Sequence, residues 1–320
     1  MVGRKAIPPV QKRVSYGGQA VIEGVMIRGR RHYSLAVRRP NGEIAISSSR
    51  LSALYTGRLR EIPMLRGVVV LLESMVIGIE ALSRSANIAL EKEGEEMSRW
   101  LLGLMLLFSL GIGVGLFFVT PLLAIRSLDS LIASDALSNA VEGVLRLAMF
   151  VAYILLIGRM PEIRRVFAYH GAEHMTVHAY EAGVPLEVGH VRRYSTAHNR
   201  CGTAFLLVVV VVAIVVFTFV GRPPILISIA SRVVLVPLIA GISYEIIRFS
   251  GAHSGNPLVN AIVYPSLALQ SLTTRQPDDS QIEVAIEAMK HALSVDHGID
   301  GTENTSGQGI AKEGEVTSPG

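Results

Sequence analysis

The chain has 320 residues; half are hydrophobic, 18% are charged, and the mean hydropathy is +0.44. Soluble domains carry about 25% charged residues, so this balance excludes a disordered chain and argues against a plain soluble enzyme. The net charge of +4 is unevenly spread: residues 1–99 carry 16 Lys/Arg against 9 Asp/Glu, and residues 245–320 carry 4 against 10. A basic head beside long apolar runs points to the cytoplasmic side of a bilayer. With no aromatic-interleaved RNA motif, no nucleic-acid partner is expected.

Met1 to Ser15 is basic and mixed and does not read as a signal peptide. Residues 18–50 read as strands. HYSLAVRR and EIAISSS flank Pro40-Asn41-Gly42, a hairpin with its turn signal. GGQAVIEGVMIRG supplies a third strand or a glycine-bent loop. Glu23 lies in that glycine-flanked string, where its carboxylate could reach a metal or substrate, or make a turn contact. The apolar segment 64–82 is broken by Glu73 and Glu80, which suits a helix in the membrane interface better than a span. These two carboxylates either pair with the arginines of 58–66 or line a polar path.

Spanning a bilayer core takes about 20 apolar residues as a helix. The 26 residues between Arg99 and Arg126 carry no charge. Asn139 to Gly158 forms a second, weaker candidate with Glu142 and Arg146 near one end. The run between Arg200 and Arg222 is a third span, and Pro223 to Tyr244, broken only by Arg232, is a fourth. An intramembrane arginine is a functional signal by default, and the sequence does not name its partner. Gly111-x-x-x-Gly115 permits close helix contact within the chain or between copies, the latter giving a homo-oligomer. The segment 257–274 is uncharged but holds Pro265, and reads as interfacial or re-entrant. PDDSQIEVAIEAMKHAL is an amphipathic helix with Ile282, Ala285, Ile286, Met289 and Leu293 on one face and Asp278 or Asp279 as cap.

The expected fold is therefore mainly α: a polytopic helical membrane protein with about four transmembrane helices, one or two interfacial or re-entrant helices and a small N-terminal cytoplasmic β unit. Its divisions are a head over 1–60, an interfacial helix over 61–98, a four-span domain over 99–250, an interfacial segment with the amphipathic helix over 251–297, and a disordered tail over 298–320. Arginines in the head and in the loop 159–200 place both termini in the cytoplasm.

Three of the nine histidines fall within YHGAEHMTVHAYEAG. Pro161 and Gly183 punctuate a helix over 161–182. At about 100° per residue, Ile163, Phe167, His170, His174, Val177 and Glu181 share one stripe. One turn apart, His170 and His174 can offer two imidazoles to one divalent metal, zinc being the first choice. With Glu173 they match H-x-x-E-H, in which the glutamate acts as general base. The plainer reading is a packed helix whose histidines bond to backbone or carboxylate. Glu181 lies about 10 Å of rise from His174 and cannot complete the same site from a straight helix. Glu245, at the cytoplasmic end of the fourth span, is the first candidate for a third ligand. His198 and Cys201, at the mouth of the third span, come next. Cys201 is the single cysteine, which excludes an internal disulfide and a cysteine-rich cage.

The strings YGGQAVIEGVMIRG, YHGAEH, AYE at 179–181, YSTAHNRCGT, ISYEIIR and LTTRQPDDSQIEVAI resemble those of the YqhQ-like bacterial membrane proteins. That family is of unknown function and is described as predicted metal-dependent enzymes. The resemblance runs from about residue 14 to 293. It implies an integral protein of the bacterial inner membrane and adds weight to His170, Glu173, His174, His198 and Glu245, which lie inside family motifs. His178 falls outside the strongest strings and is left out of the ligand set. No substrate follows. The readings are a metal-dependent, hydrolase-like enzyme with a cytoplasm-facing site, or else a membrane scaffold, assembly factor or transporter component.

Overall fold

Alternation in the first fifty residues builds a sheet. The computed structural model describes residues 16–52, 62–90, 99–128, 132, 134–198, 201–221, 223–253 and 256–298; the expected disordered tail beyond 298 lies outside them. Strands β1 (Gly17–Val21), β2 (Gly24–Arg28), β3 (His32–Arg38) and β4 (Ile44–Arg50) form an antiparallel meander in chain order. The expected hairpin is β3–β4, closed at Arg38 and Ile44 around Gly42. GGQAVIEGVMIRG becomes two strands: Val21 pairs with Gly24, leaving Ile22 and Glu23 as the turn. Glu23, the second turn residue, adopts a φ of 51°, the sign that type II turns need at that position.

Both sheet faces are covered, so β2 and β3 are buried almost throughout. Ala20, Val25, Ile27 and Ala36 face helices α5 (Pro161–Ala182) and α11 (Asp279–Asp296). Val21, Met26, Tyr33, Leu35 and Val37 face α1 (Leu65–Ala89) through Ile77 and Ala81. Helix α11 opens with a capping box: Asp278 accepts from Gln281 N at 2.9 Å, and the Gln281 side chain accepts from Asp278 N. Its stripe Ile282, Ala285, Ile286 and Met289 is buried, as its period requires.

Between these head elements lie the apolar helices. Helices α2 (Arg99–Val114) and α3 (Thr120–Arg126) are joined by a π-helical turn, Gly115–Val119. Then follow α4 (Asp135–Ile157), and, after α5 and the short α6 (Val188–Val191), α7 (Gly202–Val220), α8 (Ile225–Val234), α9 (Val236–Ala252) and α10 (Pro257–Gln270). By length and composition, Gly103–Arg126 and Asp135–Ile157 can each cross a membrane. The α8–α9 pair counts as a third if it is one span; it bends by 44° at Leu235, where Pro237 stands in the first turn of α9. The expected third span, α7, offers the shorter apolar stretch Phe205–Val220. It packs against α4, α9 and α10 and leaves Val211, Val215 and Phe219 exposed. Helix α10 has 14 residues, about 21 Å, too short to span.

Several polar groups find partners that the sequence did not name. Arg232 Nη2 bonds both oxygens of Glu142, at 3.0 and 3.1 Å, and Arg146 bonds the same carboxylate at 2.7 Å. Arg146 Nε also donates to the Phe117 carbonyl at 2.9 Å, inside the π-helical turn. Glu73 is buried against Arg28 Nε at 2.7 Å, and Glu80 pairs with Arg84 at 2.9 Å. Of the arginines of 58–66, Arg66 bonds Glu245, and Arg58 and Arg60 lie outside the described residues.

Candidate metal centre

Helix α5 presents His170, His174 and His178 at successive turns, with Glu173 and Glu181 beside them. Two segments face this stripe: Tyr194 to His198 with Cys201, and the turn after α10. Contact with the second is close, since a Cβ on Gly171 would lie 2.2 Å from the Arg275 carbonyl oxygen. Arg275 N donates to the Phe167 carbonyl at 2.9 Å and locks that turn to the helix. Gln270 clamps the other segment, accepting from His198 N at 2.8 Å and donating to His198 O at 3.0 Å.

The backbone of these segments orients the rings. His170 Nδ1 is 2.9 Å from the Thr273 carbonyl oxygen, and His174 Nδ1 is 2.6 Å from that of Thr196. A carbonyl only accepts, so each Nδ1 carries the proton and each Nε2 offers its lone pair when the ring is neutral. His170 Nε2 then lies 3.2 Å from Cys201 Sγ, and the two rings have centroids 4.4 Å apart. One donor atom from each of His170, His174 and Cys201 falls within 4.8 Å of the others. Tetrahedral zinc, with bonds of about 2.0–2.3 Å, sets its ligand atoms roughly 3.3–3.6 Å apart. This donor set fits it with small adjustments, and the carbonyl partners are the outer hydrogen bonds that metal-binding histidines need.

Electrostatics make the same trio a proton store. Burial pushes the Cys201 thiol up, but hydrogen bonds from His170 and His174 outweigh it and bring it down to about 4. Burial pushes His170 down, yet the bond to Cys201 and the charges of Cys201 and Glu173 carry it up to about 9. Both shifts favour a thiolate facing imidazolium, and a divalent cation would compete with those protons.

Glu173 is 4% exposed, its Oε2 3.5 Å from His174 Nε2, adjacent to the donor set without joining it. Strand β1 lies over it: a Cβ on Gly18 would meet Glu173 Cγ at 2.7 Å. Glu245, the expected third ligand, is elsewhere. Its Oε1 accepts from Arg66 Nε at 2.6 Å, its Oε2 pairs with the same guanidinium, and it belongs to neither cluster of donors. The end of α9 faces α1, so this carboxylate serves helix packing. Glu23 also sits apart, bonded to Arg165 Nε at 2.6 Å and to the Tyr169 hydroxyl at 3.4 Å. His198 joins a second cluster with His178 and Glu181, one donor atom of each again within 4.8 Å of the others. Sequence reasoning set His178 and Glu181 aside. The signal that could have found them is the four-residue recurrence of histidine from 170 to 178. Gln270, Thr196 and Thr273 act through long-range backbone contacts and left no such signal.

The chain belongs to the family described as "Protein of unknown function (DUF1385)", whose profile matches residues 62–295. Among curated proteins it is similar to "Uncharacterized protein YqhQ" of Bacillus subtilis (strain 168), at 32% identity over 315 residues, 92% of this chain and 96% of that one. The family is therefore YqhQ-like and of unknown function. No solved structure matches the chain.

Proposed function

We propose that the protein is a multi-pass membrane protein whose cytoplasmic face carries a divalent metal centre at His170, His174 and Cys201, with hydrolase-like chemistry. The observation that carries the reading is the pair of carbonyl-anchored imidazoles whose Nε2 atoms turn towards one cysteine sulfur. Nitrogen and sulfur donors favour zinc. Bound there, such an ion supplies Lewis acidity towards an oxygen substituent of a substrate. Glu173 Oε2, next to His174 and shielded by β1, is placed to hold and move a proton rather than to ligate. The transport reading is weakened, because Arg232 and Glu73, which would have lined its path, are paired with Glu142 and Arg28.

Membrane embedding is supported by Trp100, Phe108, Phe219 and Leu226, each more than two-thirds exposed along the apolar helices. Parity supports four crossings. Residues 16–50, α5 and α11 pack into one head, so the chain must cross an even number of times between successive head segments. Gly103–Arg126 with α4 gives two crossings before α5, and α7 with α8–α9 gives two before α11. Contacts at the far end agree: Asn139 bonds the Phe217 carbonyl at 3.0 Å, and Arg126 bonds Ser228. In this reading the lipid bilayer is a partner, both termini are cytoplasmic, and the Gly111/Gly115 face, which no other described segment approaches, is where a second copy would pack.

Metal analysis of the detergent-purified full chain tests the centre. Bound zinc that is lost in Cys201→Ser and in a His170→Ala/His174→Ala double variant supports it. Protein that keeps its zinc in both variants overturns it.

A further inference from the structure

The His178, Glu181 and His198 cluster is not used by the site above. We propose that it holds a second divalent cation next to the first, so that the centre takes a pair of metal ions. His178 and Glu181 are three residues apart on α5 and therefore on one helix face. His198 comes from the facing segment, its Nε2 3.6 Å from Glu181 Oε2. The Ala197 carbonyl oxygen, 2.7 Å from His178 Nε2, accepts a hydrogen bond from Nε2–H, which leaves the lone pair of the neutral ring on Nδ1. As at His170 and His174, a backbone carbonyl fixes the ring, but here it holds Nε2 where Thr273 and Thr196 hold Nδ1. Gln270 holds the His198 backbone at both its N–H and its carbonyl, so the ligand arrives on a braced segment.

The two donor sets adjoin. His174 of one and His198 of the other have ring centroids 5.6 Å apart, and the His178 and His198 rings are 4.5 Å apart. Their chemistry differs. Two imidazoles and a thiolate select a soft or borderline ion, whereas two imidazoles and a carboxylate also accept harder ions such as manganese. Each set has one buried and two partly buried members. Each set supplies three protein ligands, leaving coordination positions open. Paired ions of this kind clamp both the attacking and the leaving oxygen of a phosphate or acyl substrate. The proposal goes beyond the single-metal reading and uses no residue of it as a ligand.

Cobalt titration of the metal-free full chain in detergent tests it, because only Cys201 can give a thiolate-to-cobalt charge-transfer band. The expected result is saturation at two equivalents of Co²⁺, with one accounting for that band. Glu181→Gln and His178→Gln should each lower the stoichiometry to one and keep the band; Cys201→Ser should abolish the band and keep the Glu181-dependent equivalent. Wild-type saturation at one equivalent with the band present overturns the second site and leaves the first standing. Two equivalents that persist in both Glu181→Gln and His178→Gln also overturn it, and no binding at all sinks both readings. The wild-type titration decides the matter even if a variant does not fold.

Discussion

Glu173 and Gly171 are neighbours on one helix turn with different duties. Glu173 touches His174 without joining the donors, so Glu173→Gln should bind metal at wild-type stoichiometry. It should still fail to restore function in a cell lacking the protein, if its carboxylate moves a proton. Equal function in such cells would mark it as structural. Gly171 makes room for the Arg275 carbonyl. Gly171→Ala should lower stability by about 1–3 kcal/mol through overpacking, read by thermal unfolding in detergent. It should also weaken metal binding by about 10–100-fold, because the displaced turn carries the Thr273 carbonyl that orients His170. The H-x-x-E-H string was legible because its spacing is local to one helix. Glu245 misled because sequence places it at the right end of its helix but not on the side it faces. There the competing partner, Arg66, is nearly 180 residues away in the chain.

Among the elements, two helix-to-helix links behave differently. The Arg66–Glu245 pair ties α1 to α9 where both side chains are partly exposed, and such pairs contribute about 0–1 kcal/mol. Glu245→Ala should therefore keep its metal and lose little stability; loss of metal would return Glu245 to the ligand set. The Glu142–Arg146–Arg232 cluster is buried and carries a net charge of +1. Among the described residues, two Arg232 nitrogens, Nε and Nη1, have no hydrogen-bond partner, while the guanidinium stacks over the Phe217 ring at 4.3 Å. Removing one member of a buried pair costs about 3–5 kcal/mol when it strands a charge. Glu142→Gln raises the cluster to +2, whereas Arg232→Met lowers it to zero. Glu142→Gln should thus melt well below Arg232→Met in detergent. Apolar runs announced these helices, and Pro237 marks the bend at Leu235, but the π-helical turn that gives Arg146 its acceptor is not legible in the local pattern.

Across the whole molecule, head segments and apolar helices alternate in the chain yet separate in space. Reporter fusions at residue 12 and after residue 295 should both read as cytoplasmic; an outside signal for the tail alone would break the parity on which four crossings rest. The separation also has a consequence for synthesis. The Tyr16 hydroxyl bonds Asp296 at 2.9 Å, and Arg30 N bonds the same carboxylate at 2.8 Å. The sheet is made first, but α11, which covers Val25, Ile27 and Ala36, is made last. At about 5–20 residues per second, roughly 12–50 s separate the end of β4 from the end of α11, and all the apolar helices are made within that interval. His170 acquires its Thr273 acceptor, and His198 its Gln270 clamp, only near the close of it. A ribosome that stalls before residue 270 leaves a chain with His170, His174, His178, His198 and Cys201 but without the Thr273 acceptor of His170 or the Gln270 clamp on His198, so metal loading would mark the chains whose synthesis was finished.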